Sequence, residues 1–101
     1  MDFKIKYSDN NREMTVKVPK KCTYQTWKES KQSWMTNDYS KIEKCTIDFS
    51  RTTYIDSSGI GALLTLKELL TDGAQIIFVN MNDGVRNVLD ITNLSKIVTV
   101  I

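Results

Sequence analysis

The stretch YIDSSGIGALL, residues 54–64, places an acid, two hydroxyls and two glycines where a buried strand is expected to meet a helix. Aspartate and serine are preferred at helix N-caps, because their side-chain oxygens accept hydrogen bonds from the free N–H groups of the first turn. Asp56, Ser57 or Ser58 could therefore act only as a cap. Capping does not explain the glycines, since each glycine inside a helix costs roughly 1 kcal/mol relative to alanine. Small residues around a serine would instead leave its hydroxyl accessible to a large partner.

Helical periodicity divides the following helix into two faces. At about 100° per residue, the predicted core face consists of small residues and leucines, namely Gly59, Ala62, Leu63, Leu66, Leu69 and Leu70. Ile60 and Leu64 fall away from the centre of that face, beside the serines. Exposed apolar residues beside a reactive hydroxyl are typical of a docking patch. Alternatively, a flanking helix covers Ile60 and Leu64, and Gly59 and Gly61 allow close packing of the helix on the sheet.

A phosphate on a serine at this helix N-terminus would lie among backbone N–H groups, where the helix dipole favours an anion. Phosphorylation adds about −1.5 to −2 charges at neutral pH, which is a large local change for a chain with a net charge of +2. Within an apolar docking patch, the phosphate would repel a partner through desolvation and bulk. The neighbouring Asp56 would add like-charge repulsion.

Strand and helix patterns alternate along the rest of the chain. Strand patterns occur at residues 3–7, 14–18, 45–49, 75–80 and 96–101, and helix patterns at 24–35, 58–71 and 83–90. Pro19 should end the second strand, because proline cannot donate to a sheet ladder. The order β-β-α-β-α-β-α-β predicts an α/β fold, with a mixed β-sheet that starts in an N-terminal hairpin and carries helices packed on it. We expect a single domain over residues 1–101.

The first predicted helix carries an aromatic stripe at helical spacing, formed by Tyr24, Trp27 and Trp34. Such a stripe is typical of a helix packed on a sheet, although a tryptophan could instead contact a partner. Thr23 is the predicted N-cap of this helix. Gly73 is predicted to end the second helix in the left-handed conformation.

Composition excludes several classes of function. The chain has no basic run and so lacks the footprint of a nucleic-acid-binding protein. It has no histidine, which excludes a Ser-His-Asp or Cys-His catalytic set within one chain. It also lacks the glycine motifs of phosphate-binding loops and the C-x-x-C spacing of zinc sites. We therefore expect a binding protein without cofactor or metal, and not an enzyme; a small enzyme using Asp56 and Ser57 directly is the distant alternative.

The cysteines and the hydropathy pattern indicate the cellular setting. Cys22 and Cys45 are widely spaced, which fits a reduced cytoplasmic protein with two unpaired thiols. The N-terminus alternates charged and apolar residues, unlike a signal peptide. No apolar run approaches the roughly 20 residues that a membrane helix needs. We expect a cytoplasmic protein without direct membrane insertion.

These motifs and their order resemble the STAS domain (sulfate transporter and anti-sigma factor antagonist), and especially the small stand-alone bacterial anti-sigma factor antagonists. The similar segments are TIDFS at 46–50, YIDSSGIGALL at 54–64 and GVRNVLDITNL at 84–94, and TYQTWKES at 23–30 resembles the first helix of the family. The resemblance covers nearly the whole chain. D-S-S-G in this context is its most specific part.

The resemblance implies a phosphorylation-controlled module for signal transduction and transcription regulation. In the usual members, the unphosphorylated form binds an anti-sigma factor that is also a serine kinase, and this binding releases the sigma factor. The kinase phosphorylates the serine after the motif aspartate, which ends binding, and a PP2C-type phosphatase reverses the modification. That serine maps to Ser57, with Ser58 as the alternative acceptor. The motif and partner-binding residues are then Asp56, Ser58, Gly59, Ile60, Gly61 and Leu64.

This sequence differs from the family pattern after its last predicted strand. Family members commonly continue into a further C-terminal helix, whereas this sequence stops at Ile101. Without that helix, an uncovered sheet edge or face would favour self-association as a homodimer. The alternative function is a constitutive STAS subunit of a membrane transport complex, which uses the same helix-terminus surface as a permanent contact.

Overall fold

The computed structural model describes residues 3–35, 39–70, 73–96 and 98–101, except for the side chains of residues 30–35 and 95. The strands are β1 (Lys4–Tyr7), β2 (Glu13–Lys17), β3 (Lys21–Cys22), β4 (Lys44–Asp48), β5 (Tyr54–Ile55), β6 (Gln75–Val79) and β7 (Thr99–Val100). The helices are α1 (Tyr24–Met35), α2 (Ser57–Leu69) and α3 (Asp83–Ile91), followed by a 3-10 turn at Leu94–Lys96.

Five strands form one mixed sheet in the order β1-β2-β4-β6-β7. β1 and β2 form the predicted antiparallel hairpin, and every later neighbour is parallel. Each parallel connection moves one strand further in the same direction. Because such crossovers are right-handed, α1, α2 and α3 lie on the same face of the sheet. The predicted fold, a mixed sheet with helices packed on it, is confirmed.

Strand register separates an apolar face from a polar face. One row of paired residues crosses all five strands under the helices and consists of Ile5, Val16, Ile47, Phe78 and Val100. Val16, Ile47 and Phe78 are all at most 2% exposed. The adjacent row, Lys4, Lys17, Asp48 and Val79, lies on the face without helices. The alternation of polar and apolar residues in β2 therefore predicted correctly which of its side chains lie in the core.

A second, two-stranded sheet lies beside the main one and was not expected from the sequence. β3 and β5 pair in parallel, with Cys22 opposite Ile55. The hydroxyl of buried Thr52 donates to the carbonyl of Pro19 at 3.0 Å, which holds the two chain segments together just before the pair. Strands of two residues carry no measurable periodicity, so hydropathy could not reveal them. This pair positions the residues that precede α1 and α2.

Two expectations about element ends are wrong. α2 ends at Leu69, and Leu70 turns into an extended conformation (φ −82°, ψ 155°) in which it is 5% exposed. No glycine in the described ranges has a positive φ, so Gly73 is not a left-handed cap. The helix ends earlier because Leu70 leaves it to join the core. The last strand is also shorter than predicted, since Lys96 belongs to the 3-10 turn.

The first helix begins as predicted but only part of its aromatic stripe is buried. The N–H of Thr26 donates to Thr23 Oγ1 at 3.4 Å, and Thr26 Oγ1 accepts from the N–H of Thr23 at 3.1 Å. This is the reciprocal arrangement of a capping box. Trp27 is 9% exposed and belongs to the core, whereas Tyr24 is 59% exposed. The side chain of Trp34 lies outside the described residues.

α2 approaches β3 so closely that only glycine fits at position 59. A Cβ on Gly59 would overlap the carbonyl oxygen of Cys22, and it would lie 2.6 Å from the carbonyl carbon and 2.9 Å from Sγ. A Cβ on Gly61 would meet nothing within 4 Å. Close packing therefore explains Gly59 and not Gly61.

We expect the two glycines to respond in opposite directions to alanine. Gly59→Ala forces α2 away from the backbone of β3 and should lower the free energy of unfolding by about 3 kcal/mol or more. Gly61→Ala fills open space and should raise it by up to about 1 kcal/mol, because alanine favours the helix. Urea denaturation of both variants tests this. A mild loss in Gly59→Ala, similar to the effect at position 61, would contradict the close approach.

Candidate functional site

Asp56 caps the N-terminus of α2. Its backbone is extended (φ −125°, ψ −178°), and its Oδ1 accepts from the N–H of Gly59 at 3.0 Å. Its carbonyl accepts from the N–H of Ile60 at 3.0 Å, which starts the helical ladder. Capping by the motif acid is therefore a property of Asp56 itself, and neither serine is needed for it.

The hydroxyl of Ser58 connects the N-termini of two helices. It donates to Asp56 Oδ1 at 2.6 Å and accepts from the N–H of Tyr24 at 2.7 Å. Tyr24 is the first residue of α1, and its N–H has no partner within its own helix. The Ser58 hydroxyl is thus used within the fold both as a donor and as an acceptor.

Ser57 is placed differently, although it is the neighbouring residue. It is the first residue of α2 and is exposed. Its hydroxyl makes no hydrogen bond to any of the residues that the structure describes. The two serines of the motif therefore differ in availability: Ser57 is free to react or bind, and Ser58 is engaged.

Hydrogen bonds keep Asp56 ionised. The bond from the Ser58 hydroxyl is the main reason that the pKa of Asp56 lies below its usual value, with a further contribution from the N–H of Gly59. Partial burial acts in the opposite direction but does not outweigh these bonds. The motif therefore presents a negative charge at neutral pH, adjacent to the free hydroxyl of Ser57.

The cysteines are not available as nucleophiles at neutral pH. Both thiols are free and buried. Burial raises the pKa of Cys22 to about 12, and the nearby charge of Asp56 adds to this. Burial likewise raises the pKa of Cys45 to about 12. Since the thiolate is the reactive form, neither sulfur offers a chemistry for the site.

The exposed surface next to Ser57 includes one of the two predicted patch residues. Leu64 is 38% exposed, as expected, but Ile60 is 6% exposed and belongs to the core. Of the two alternatives for Ile60, exposure to a partner is wrong and cover by a neighbouring element is observed, since Ile60 is buried and both α1 and β3 contact α2. Gly61 is exposed one turn after Ser57, on the same face of α2.

Two tyrosines complete this surface, and the sequence did not indicate them. Tyr24 and Tyr54 are 59% and 49% exposed. The backbone of Tyr24 bonds to Ser58, and the side chain of Tyr54 contributes a hydrogen bond that helps to lower the pKa of Asp56. The capping box at Thr23 was an available signal, since it makes Tyr24 the first helical residue. We call Ser57, Gly61, Leu64, Tyr24 and Tyr54 the motif surface.

The described residues show neither a metal cluster nor a membrane-spanning helix. They contain no group of three or more cysteine and carboxylate side chains arranged to hold a metal ion. None of their helices combines the length and apolar character needed to cross a membrane. The motif surface is thus the main candidate site of the described chain.

We expect Ser58→Ala to raise the pKa of Asp56 toward its ordinary value, because the strongest hydrogen bond to the carboxylate is removed. A group with a lowered folded-state pKa stabilises the fold above its unfolded pKa, about 4, and this contribution is lost as the pH falls through the folded pKa. The variant should therefore be less stable than the parent above about pH 4, and it should lose less stability on acidification, because the pKa values of Asp56 in the folded and unfolded states become similar. NMR titration of the Asp56 carboxyl carbon measures the shift, with Thr65→Ala as the control that removes a more distant hydroxyl of α2. An unchanged Asp56 titration in Ser58→Ala would contradict this.

Known proteins with this architecture share the fold over nearly the whole chain. The sequence profile of the STAS domain matches residues 8–101. The anti-sigma factor antagonist SpoIIAA in its unphosphorylated form is 16% identical, with a TM-score of 0.71 over 98% of this chain and 86% of that one. The Bacillus cell fate determinant SpoIIAA in its phosphorylated form is 17% identical, with a TM-score of 0.70 over 98% and 90%.

A candidate anti-sigma factor antagonist from Thermotoga maritima is 25% identical, with a TM-score of 0.68 over 97% of this chain and 84% of that one. The profile match extends from the first turn to the last residue and includes every element of the motif surface. The chain belongs to the STAS domain family.

Proposed function

We propose that this protein is a phosphorylation-switched adaptor that acts as an anti-sigma factor antagonist. Its unphosphorylated form binds a serine kinase that is also an anti-sigma factor, phosphorylation of Ser57 releases that partner, and a PP2C-type phosphatase restores binding. The observation that carries this proposal is the difference between the two motif serines. Ser57 is exposed and makes no hydrogen bond within the described residues, whereas Ser58 is bonded on both sides.

The difference matters because a kinase must align the attacking hydroxyl with the phosphate that it transfers. Ser57 can be aligned without breaking a bond to the rest of the described protein. Phosphorylation of Ser58 would first break its bonds to Asp56 and Tyr24 and would loosen the junction of α1 and α2. The proposal therefore assigns the phosphate to Ser57 and leaves Ser58 as a structural residue.

Known phosphorylation of a protein with the same fold supports the proposal. SpoIIAA has been solved in unphosphorylated and in phosphorylated form, and both resemble this chain over 98% of its length. The motif acid, the hydroxyl pair and the first motif glycine occupy the N-terminus of α2 here. A switch at this helix terminus is the simplest function for a free, exposed hydroxyl in that position.

The effect of a phosphate follows from its surroundings. Asp56 is ionised next to Ser57, so a phosphate would concentrate about −1.5 to −2 further charges there. The rest of the motif surface is uncharged, with Leu64 and two tyrosines offering apolar contact and Gly61 leaving room for the backbone of a partner. Burying a phosphate in such an interface without a cationic partner is unfavourable. Phosphorylation should therefore act by weakening association and leave the fold intact.

We expect protein recovered from its own cells, with phosphatases inhibited, to carry a single phosphate on Ser57. Trypsin should release both motif serines in one peptide, residues 52–67, because Arg51 and Lys67 flank them. Fragmentation between Ser57 and Ser58 by mass spectrometry therefore decides the position. Ser57→Ala should carry no phosphate in this peptide, and Ser58→Ala should still be modified.

A phosphate on Ser58 with Ser57 unmodified would overturn the assignment. The complete absence of phosphate under several growth conditions would favour the constitutive subunit of a membrane transport complex. In that case the motif surface would be a permanent contact.

We also expect the charge of Ser57 to control binding of the kinase that copurifies with Ser57→Ala. Ser57→Asp should weaken that binding by about 1–3 kcal/mol, roughly 5-fold to 150-fold, through charge and desolvation. Asn87→Asp adds the same charge at an exposed position of α3 and serves as the matched control. Titration calorimetry with each variant gives the dissociation constants. Equal affinities for Ser57→Asp and the parent protein would rule out the switch.

A further inference from the structure

A cluster of cationic side chains lies on the face of the sheet that carries no helix. Lys4 and Lys6 from β1, Lys17 from β2 and Arg51 from the turn after β4 line a pocket of about 190 Å³, together with Thr15. None of these lining residues is acidic or apolar. The cluster holds four positive charges in a chain whose net charge is only +2.

The pairing of β1 with β2 places two of these positive charges next to each other. Lys4 lies directly opposite Lys17 in the antiparallel pair, and like charges in that position destabilise a sheet. The salt bridges among the described residues, Arg12–Glu43 and Glu13–Lys44, include none of the four cations. The cluster therefore opposes folding unless something compensates its charge.

One carboxylate lies near the cluster, but it already accepts hydrogen bonds from residues outside the cluster. Asp48 is the β4 partner of Lys17. Partial burial raises the pKa of Asp48, but the hydrogen bonds from Asn80 and Ser50 and the charge of Lys17 together lower it below its usual value. Its Oδ1 accepts from the N–H of Ser50 at 2.9 Å and from Asn80 Nδ2 at 3.1 Å. Asp48 offsets part of one lysine charge and accepts no hydrogen bond from the guanidinium of Arg51, which has no acceptor among the described residues.

Arg51 shows most directly that an anion is expected. Its Nε and Nη2 are buried and have no hydrogen-bond partner among the residues that the structure describes. A guanidinium is permanently charged and can only donate. Buried donors without acceptors are rare in folded proteins, and a water molecule or an ion commonly satisfies them. The two nitrogens lie in the same side chain as the positive charge, so the missing acceptor should be anionic.

We propose that this pocket binds a small multivalent oxyanion of the phosphate or pyrophosphate class. The planar guanidinium of Arg51 suits two oxygens of such an anion once the side chain rotates to turn its buried Nε and Nη2 toward the pocket, and the three lysines add charge from the strands. The Thr15 hydroxyl adds a neutral donor. The side chains that line the pocket are all cationic or hydroxyl-bearing, which suits the anion itself better than an organic ring. Its volume is below the roughly 300–1,000 Å³ of pockets for larger ligands.

This site is distinct from the motif surface, because it uses other residues on the face of the sheet opposite α2. It does not depend on Ser57, and neither phosphorylation nor kinase binding is needed to test it. The unmodified protein at low ionic strength is sufficient, since salt would screen the attraction between exposed charges.

The test is a titration of the protein with pyrophosphate, followed by two-dimensional NMR of backbone amides and arginine Nε–H groups. We expect saturable shifts at Lys4, Lys6, Lys17 and Arg51, and about tenfold weaker binding in Arg51→Gln. Arg86→Gln removes the same charge from an exposed position of α3 and should change the affinity less than twofold. Pyrophosphate should raise the melting temperature of the parent and of Arg86→Gln more than that of Arg51→Gln.

Non-saturating shifts, or equal weakening in Arg51→Gln and Arg86→Gln, would overturn the proposal and indicate attraction by net charge alone. If Arg51→Gln does not fold, the double variant Lys4→Gln/Lys6→Gln replaces it. Its control is Lys20→Gln/Lys21→Gln, which removes the same two charges outside the pocket. Equal affinities of these two double variants would likewise overturn the site.

Discussion

The contact between Gly59 and the backbone of Cys22 sets the position of everything that surrounds the D-S-S-G motif. The carbonyl of Cys22 occupies the space where any other residue would carry a Cβ. The same carbonyl accepts the N–H of Asp56 at 3.4 Å. α2 is thereby held against β3 at its first turn, and not only through the leucines further along. A contact between two backbones has little freedom to adjust, because neither partner can change rotamer.

Once α2 is fixed in this way, the two motif serines acquire different environments. Position 58 faces the start of α1, where an unpaired N–H of Tyr24 needs an acceptor. Position 57 is turned by about 100° around the helix and faces solvent. The availability of Ser57 is therefore a consequence of the β3–α2 contact. If α2 could shift along β3, the bond between Ser58 and Tyr24 would break, and the two hydroxyls would become chemically similar.

Elements with a periodic pattern of apolar residues or a known capping pattern were predicted from the sequence, and elements without such a pattern were missed. The core of β2, the inward face of α2 and the cap at Thr23 follow from periodicity or from a recognisable capping pattern, and the structure contains them. The β3–β5 pair has two residues in each strand, so it has no period, and its pairing joins segments about 33 residues apart. The error at Ile60 has the same origin. A helical wheel places Ile60 away from the main sheet but contains no information about a second sheet on that side.

The two glycines of the motif show how packing and surface requirements can be separated. Gly59 is explained completely by the Cys22 carbonyl, and a larger residue there would fail in any member of the fold that keeps this contact. Gly61 has no neighbour within 4 Å of a Cβ and costs helix stability of roughly 1 kcal/mol. A destabilising residue without an internal reason, one turn from a free hydroxyl, fits the proposed function, in which a partner approaches this surface from outside. A side chain at position 61 would stand between Ser57 and Leu64, and would keep a partner from reaching both at once.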